Sequence, residues 1–148
     1  MSPTARIILS AAIASQIESE GVAAYPNECC GILVGTDEPT GGRIVERIIP
    51  MTNTFDASEQ YHRFTIDPLA LARADEESAA QGKLVLGFYH SHPDHPAQPS
   101  EYDRTHVPPW SFYSHIIVAI EKRKPAAMTC WQMDEDTEQF RQQEIVRS

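Results

Sequence analysis

The chain has 148 residues, 41% of them hydrophobic and 22% charged, which suits one domain spanning 1–148 with one sizeable core and excludes wholesale disorder. Twelve basic against 21 acidic residues give a formal charge of −9. That excludes a broad nucleic-acid footprint, which needs clustered Lys and Arg. No apolar run approaches the roughly 20 residues that span a bilayer, and Met1 to Arg6 is not followed by the apolar segment of a signal peptide, so a cytoplasmic protein with no membrane partner is expected.

Arg6 to Leu9 is a short β-like run. Ser10 can cap a helix running to about Tyr25, with Ala12, Ile13, Ile17 and Val22 near helical spacing, and Pro26-Asn27 breaks it. Cys30 to Gly35 is an apolar run suited to a buried strand. Thr40-Gly41-Gly42 signals a turn, with Arg43 to Ile49 as the partner strand of a hairpin. Pro50 to Ser58 reads as a loop and Tyr61 to Ile66 as a short strand. Asp67-Pro68 starts a helix that runs to about Gln81 and stops at Gly82. Lys83 to His90 is nearly continuous in apolar residues, as in a strand covered on both faces. Pro93, Pro96 and Pro99 argue against regular structure next, and Ser100 to about His106 reads as a short helix. Ser114 to Ile120 and Ala126 to Met133 read as strands around a charged turn. Thr137 to Val146 fits either strand or helix. The fold class expected is α/β, with helices packed on a mixed sheet.

The chemistry concentrates in Tyr89-His-Ser-His-Pro-Asp-His-Pro-Ala-Gln-Pro-Ser-Glu-Tyr-Asp103. His90 and His92 are two apart at the end of a strand, so their side chains share a face and can share a metal. Asp103 lies 11 residues beyond His92 and can supply a hard oxygen as third ligand. Two His and one carboxylate with an open fourth position is a hydrolytic zinc arrangement. Hydrolysis also needs a proton carrier that is not a ligand. Glu28 is the candidate: next to a dry core, a carboxylate can have a raised pKa and serve as base, then acid.

His90-Ser-His92-Pro, six further residues, then Ser100-x-x-Asp103 resembles the H-[ST]-H-P-x6-S-x2-D motif of the JAMM (MPN-plus) zinc metalloproteases. Asn27-Glu-Cys-Cys-Gly-Ile-Leu-Val-Gly35 is similar to the strand entry where that family keeps its upstream Glu. The resemblance runs from the first helix to the strand near Trp131. It implies a mixed β-sheet flanked by helices, of MPN and cytidine-deaminase-like architecture. It also implies one Zn2+ with a bound water, held by His90, His92 and Asp103. Glu28 would shuttle the proton and Ser100 would hydrogen-bond the developing oxyanion. The short chain is similar to the prokaryotic branch, which processes ubiquitin-like sulfur-carrier proteins after a C-terminal Gly-Gly. The implied activity is hydrolysis of that peptide bond. The alternatives are an isopeptidase that removes ubiquitin-like modifiers from lysine and a non-catalytic MPN binding module. The substrate tail would lie extended along a sheet edge and pass a narrow Gly-Gly tunnel.

Simpler roles compete for each residue. A lone H-x-H pair often caps a strand end, Ser100-x-x-Asp103 is close to a helix capping box, and a lone Glu28 is usually a solvated boundary residue. Only the joint spacing favours the metal. With three cysteines in all, no disulfide framework is expected. Cys29 and Cys30 read as small buried hydrophobes before zinc ligands or a nucleophile. His95 reads as a loop histidine before an extra ligand or substrate contact. Trp110, Phe112 and Tyr113 read as core by default, the alternative being an exposed substrate-binding patch. His62, His106 and His115 carry no signal. A nucleobase deaminase would need H-x-E and P-C-x-x-C, which the chain lacks.

Overall fold

The structure is a computed structural model that describes residues 6–148 apart from 39, 102–111, 135 and 138. The described elements are β1 (Arg6–Leu9), α1 (Ala11–Ala24), β2 (Cys30–Glu38), β3 (Gly42–Met51), α2 (Pro68–Ala80), β4 (Leu84–Pro93), β5 (Ser114–Glu121), β6 (Lys124–Met133) and β7 (Phe140–Arg147), with a 3-10 turn at Ala57–Glu59. Both helices start where side chains can satisfy their first amides. Ser10 Oγ accepts from the Ile13 N–H at 3.1 Å, and Asp67 accepts from the Leu69 N–H at 3.1 Å with Pro68 just inside. No described helix is long and apolar enough to cross a membrane.

The strands join in the order β1-β3-β2-β4-β5-β6-β7, and β7 returns to β1, so the sheet closes into a barrel. The expected mixed sheet is present, but as a closed barrel with few helices rather than an open layer flanked by them. Closure is incomplete in length. Four-residue β1 meets β3 only at Arg43 and Ile44. Among the described strands, the outer edge of β3 from Val45 to Met51 therefore has no ladder partner.

β4 is the central strand. It runs antiparallel to β2 and parallel to β5, and from Val85 to Pro93 it is buried throughout. Leu86 and Tyr89 join Ile17 of α1 and Ile116, Val118 and Ile120 of β5 in the main core. Phe88 and Val85 pack with Ile32 and Val34 of β2 and Ala74 of α2 in a second cluster. That two-sided burial explains the continuous apolar run. Close approach demands two glycines here. A Cβ on Gly87 would lie 1.8 Å from the Ser114 carbonyl oxygen, and one on Gly31 would lie 2.2 Å from the Tyr89 ring.

Two expectations need correction, and one open alternative is resolved. Tyr61 to Ile66 is not a strand, because its backbone groups bond to loop partners instead: the Arg63 carbonyl and Thr65 N–H to Asn53, the Thr65 carbonyl to Thr54. Regular structure does not stop before Pro93. β4 includes it as its last residue, opposite Ile120, where a missing N–H costs the ladder little. The ambiguous C-terminal stretch is a strand, Phe140–Arg147, held by β6 and β1. Of the short helix expected from Ser100 to about His106, only Ser100 and Glu101 are described, Glu101 as helical, and residues 102–106 lie outside the described set.

Candidate active site

The buried C-terminal half of β4 carries the two histidines. His90 is 1% exposed and His92 5%. On a pleated strand they share a face, and their Nε2 atoms lie 3.1 Å apart. His92 Nδ1 is 2.8 Å from the Pro96 carbonyl oxygen. A carbonyl only accepts, so this contact places the proton on Nδ1 and turns the Nε2 lone pair toward His90. The His90 ring is stacked on Phe64, with centroids 4.5 Å apart and planes 25° from parallel.

The loop after His92 is pinned from below. Asp94 takes a positive φ of 56°, its N–H donates to the Ile120 carbonyl at 2.7 Å, and its Oδ1 accepts from the Lys122 N–H at 2.8 Å. Tyr25 Oη, at the end of α1, donates to Asp94 Oδ2 at 2.5 Å. These bonds hold the Asp94 carboxyl below its ordinary range, the Tyr25 hydrogen bond contributing most. The β5–β6 turn that supplies Lys122 has positive φ at both Lys122 and Arg123, the backbone of a tight hairpin.

Glu28 sits between α1 and β2 and is 5% exposed. It lines a cavity of about 400 Å³ together with His62, Arg63, His92, His95 and Ser100. It also lines a second cavity of about 430 Å³, together with Glu20, Asn27, Cys29, Met51 and Asn53. Of the five expected site residues, Glu28, His92 and Ser100 line the first cavity, and His90 adjoins it through His92. Asp103, the expected third ligand, lies outside the described residues. Among the described residues no group of three His, Cys, Asp or Glu converges.

Whether the pair suits a metal can be tested on its spacing. Zinc–nitrogen bonds of about 2.0–2.1 Å at a tetrahedral angle separate two ligand nitrogens by roughly 3.3 Å. The observed 3.1 Å, the His92 lone pair set by Pro96 and the burial of both rings fit that requirement. His90, His92 and Asp103 would hold the ion.

The other singled-out residues separate cleanly. Cys30 is buried and Cys29 half-buried. Burial pushes the Cys29 thiol up to about 11 and the Cys30 thiol to about 12, so neither is a thiolate nucleophile near neutrality. His95 is exposed but on the cavity wall, and His62, which gave no signal, joins it there. His115 is buried beside Phe88 and Phe140. Phe112 is not core but 39% exposed under the Arg43 guanidinium, while Tyr113 packs edge-on to Phe88. Trp110 and His106 lie outside the described residues. The sequence reading missed Asn53, Gln60 and Phe64. Their only local mark is Asn53-Thr54 directly after a strand, an ordinary turn signal.

The closed mixed barrel thus carries two same-face histidines on β4, with buried Glu28 and with Ser100 lining the cavity beside His92. The chain matches the family described as prokaryotic homologs of the JAB domain over residues 10–134, and it belongs to that family. It is 32% identical over 101 residues to a protein named desampylase from Haloferax volcanii, covering 68% of each chain. It is 41% identical over 63 residues to a probable TtuB-protein conjugate cleaving protease from Thermus thermophilus, covering 43% of this chain and 41% of that one. The crystal structure of a JAB1/MPN domain protein from Archaeoglobus fulgidus superposes with a TM-score of 0.54 at 20% identity, covering 95% and 98%, which supports the same fold.

Proposed function

We propose that the protein is a zinc-dependent peptidase that cuts the amide bond following the C-terminal Gly-Gly of a ubiquitin-like protein. The observation that carries this is that Glu28, His92 and Ser100 line one cavity while His90 Nε2 lies 3.1 Å from His92 Nε2. Bound between the histidines, zinc would supply Lewis acidity and lower the pKa of a water to about 7. Glu28 then takes the proton from the attacking water and returns it to the leaving amine. Ser100 donates a hydrogen bond to the oxygen that gains charge. Glu28 and Ser100 line the same cavity, which supports their acting on one bound amide.

The two relatives favour a ubiquitin-like partner, and the name of the second favours a conjugate over a linear tail. An extended tail can pair with the unladdered edge of β3, which ends at Met51. Met51 lies opposite Cys30, which in turn lies opposite His90. The proposal is tested by incubating zinc-loaded protein with two substrates. One is a ubiquitin-like sulfur carrier extended past Gly-Gly by a short tail, the other the same carrier joined to a lysine. Intact-mass analysis should show carrier ending in Gly-Gly, and chelation should stop its release. Cleavage of the lysine conjugate alone selects the isopeptidase, cleavage of the tail alone the trimming peptidase. No release from either, with zinc bound, overturns the proposal. A bulkier residue in place of the penultimate glycine should slow cleavage, and indifference to it would refute a narrow Gly-Gly passage.

A further inference from the structure

The loop between β3 and α2 is irregular, yet it touches both ends of the site. Asn53 is its centre. Its Nδ2 donates to the Glu28 carbonyl at 3.2 Å and to the Arg63 carbonyl at 2.9 Å. Its Oδ1 accepts from the Phe55 N–H at 3.1 Å and the Thr65 N–H at 3.2 Å. A carboxamide offers two donors and two acceptor positions, and all four are used. Neither Asp nor Leu, both near it in size, can serve two carbonyls and two amides at once.

The partners decide what this does. Glu28 is held by its main chain on both sides, because its N–H donates to the Gln60 carbonyl at 2.8 Å. Gln60 in turn donates its Nε2 to the Asn53 and Phe55 carbonyls at 3.1 and 2.8 Å. Arg63 and Thr65, both bound to Asn53, bracket Phe64, the residue stacked on His90. One side chain therefore ties the backbone of the proton carrier to the aromatic wall behind a histidine. The two are otherwise on different segments with no shared strand pair.

Resting on the hydrolase reading above, we propose that Asn53 is a positioning residue that sets where Glu28 stands relative to His90. It touches no reacting atom. Its effect passes through the Glu28 main chain and through Phe64, and displacements of about 1 Å at such a site can cost on the order of 100-fold in rate.

The test compares Asn53→Asp with Thr54→Val. Asn53→Asp keeps the acceptor and turns the double donor into an oxygen facing two carbonyls. Thr54→Val removes a hydroxyl bond to the Thr65 carbonyl in the same loop without touching Glu28. The first readout is hydrogen exchange at the Glu28 amide, followed by NMR, which needs no substrate. We expect it to accelerate at least about tenfold in Asn53→Asp, as opening of that contact becomes less costly, while Ile32 and Leu33 amides and the Thr54→Val protein stay as wild type. The second is a kcat lowered about 100-fold with KM nearly unchanged, on whichever substrate the wild type cuts. If Asn53→Asp does not fold, Gln60→Met, which removes the two Nε2 bonds, should show the same exchange change in smaller degree. Wild-type exchange at Glu28 in the folded variant, or equal effects from Thr54→Val, overturns the inference. A wild type that cuts nothing overturns the hydrolase reading and leaves the exchange result to judge Asn53.

Discussion

The two ends of the barrel each bury charged or polar side chains, and they do so to different ends. At the end away from the histidines, Arg43 is 2% exposed and spends its guanidinium on the protein itself. It donates to Asp37 Oδ2 at 3.2 Å, the Leu86 carbonyl at 3.3 Å and Ser114 Oγ at 2.8 Å, and lies over the Phe112 ring at 4.4 Å. At the other end, Glu28 and His92 are as deeply buried, but their side chains line a cavity of about 400 Å³. Burial alone does not distinguish a brace from a reactive group. What distinguishes them is whether the polar atoms are directed into packed protein or into space that a ligand can enter.

The sharpest way to break the comparison is to exchange charge for polarity at each end. Glu28→Gln should lower the cleavage rate by about 10²–10⁴-fold, with thermal midpoint and zinc content close to wild type. Unchanged turnover would make Glu28 a bystander. Arg43→Met should do the reverse. It leaves Asp37, Ser114 and the Leu86 carbonyl without the cation, and unfolding stability in urea should fall by about 3 kcal/mol. Asp37 is 26% exposed, so water recovers part of the loss. Zinc content and kcat should hold below the melting range. A kcat loss as large as that of Glu28→Gln would erase the distinction.

A smaller effect sharpens the boundary between the two ends. The Tyr89 ring covers Gly31, and its hydroxyl donates to Glu20 Oε1 at 2.5 Å. Burial pushes the Glu20 carboxyl up, and this hydrogen bond pulls it back. Gly31→Ala forces the ring off β2 and should cost about 2 kcal/mol, read by urea unfolding. If the loss is negligible, the ring has room that the packing denies.

How much of this was legible in the residues follows from the same contrast. Periodic features were readable: the caps at Ser10 and Asp67, the β2–β3 hairpin, the two-sided burial of β4 and the shared face of His90 and His92. Each depends on near neighbours in sequence. Barrel closure was not readable, because it depends on β1 meeting β3 and β7, strands far apart in the chain. Arg43 looked like a hairpin residue, since its partners lie 43 and 71 positions away. Asn53 was only one residue of the Pro50 to Ser58 loop, since the Glu28 carbonyl is 25 positions back. The strand expected at Tyr61 to Ile66 failed for that reason: side chains, not a neighbouring strand, take its backbone groups.

The smallest effect concerns Cys29, on the cavity beside Glu28. Its thiol is held up to about 11 by burial, against about 8.5 in an unfolded chain. Burial of the neutral form therefore stabilises the fold below pH 8.5, and that contribution is lost as pH rises toward 11. Iodoacetamide labelling of the folded protein should stay slow at pH 8 and accelerate only near pH 11. Rapid labelling at pH 8 would mark a thiolate and reopen a cysteine role at the site.

The most direct measurement is anomalous diffraction at the zinc absorption edge from crystals grown with zinc. A single strong peak about 2.0–2.2 Å from both His90 Nε2 and His92 Nε2, with Asp103 as a third neighbour, is the expected result. Density showing the two imidazoles bonded only to each other, with zinc elsewhere or nowhere, would contradict it.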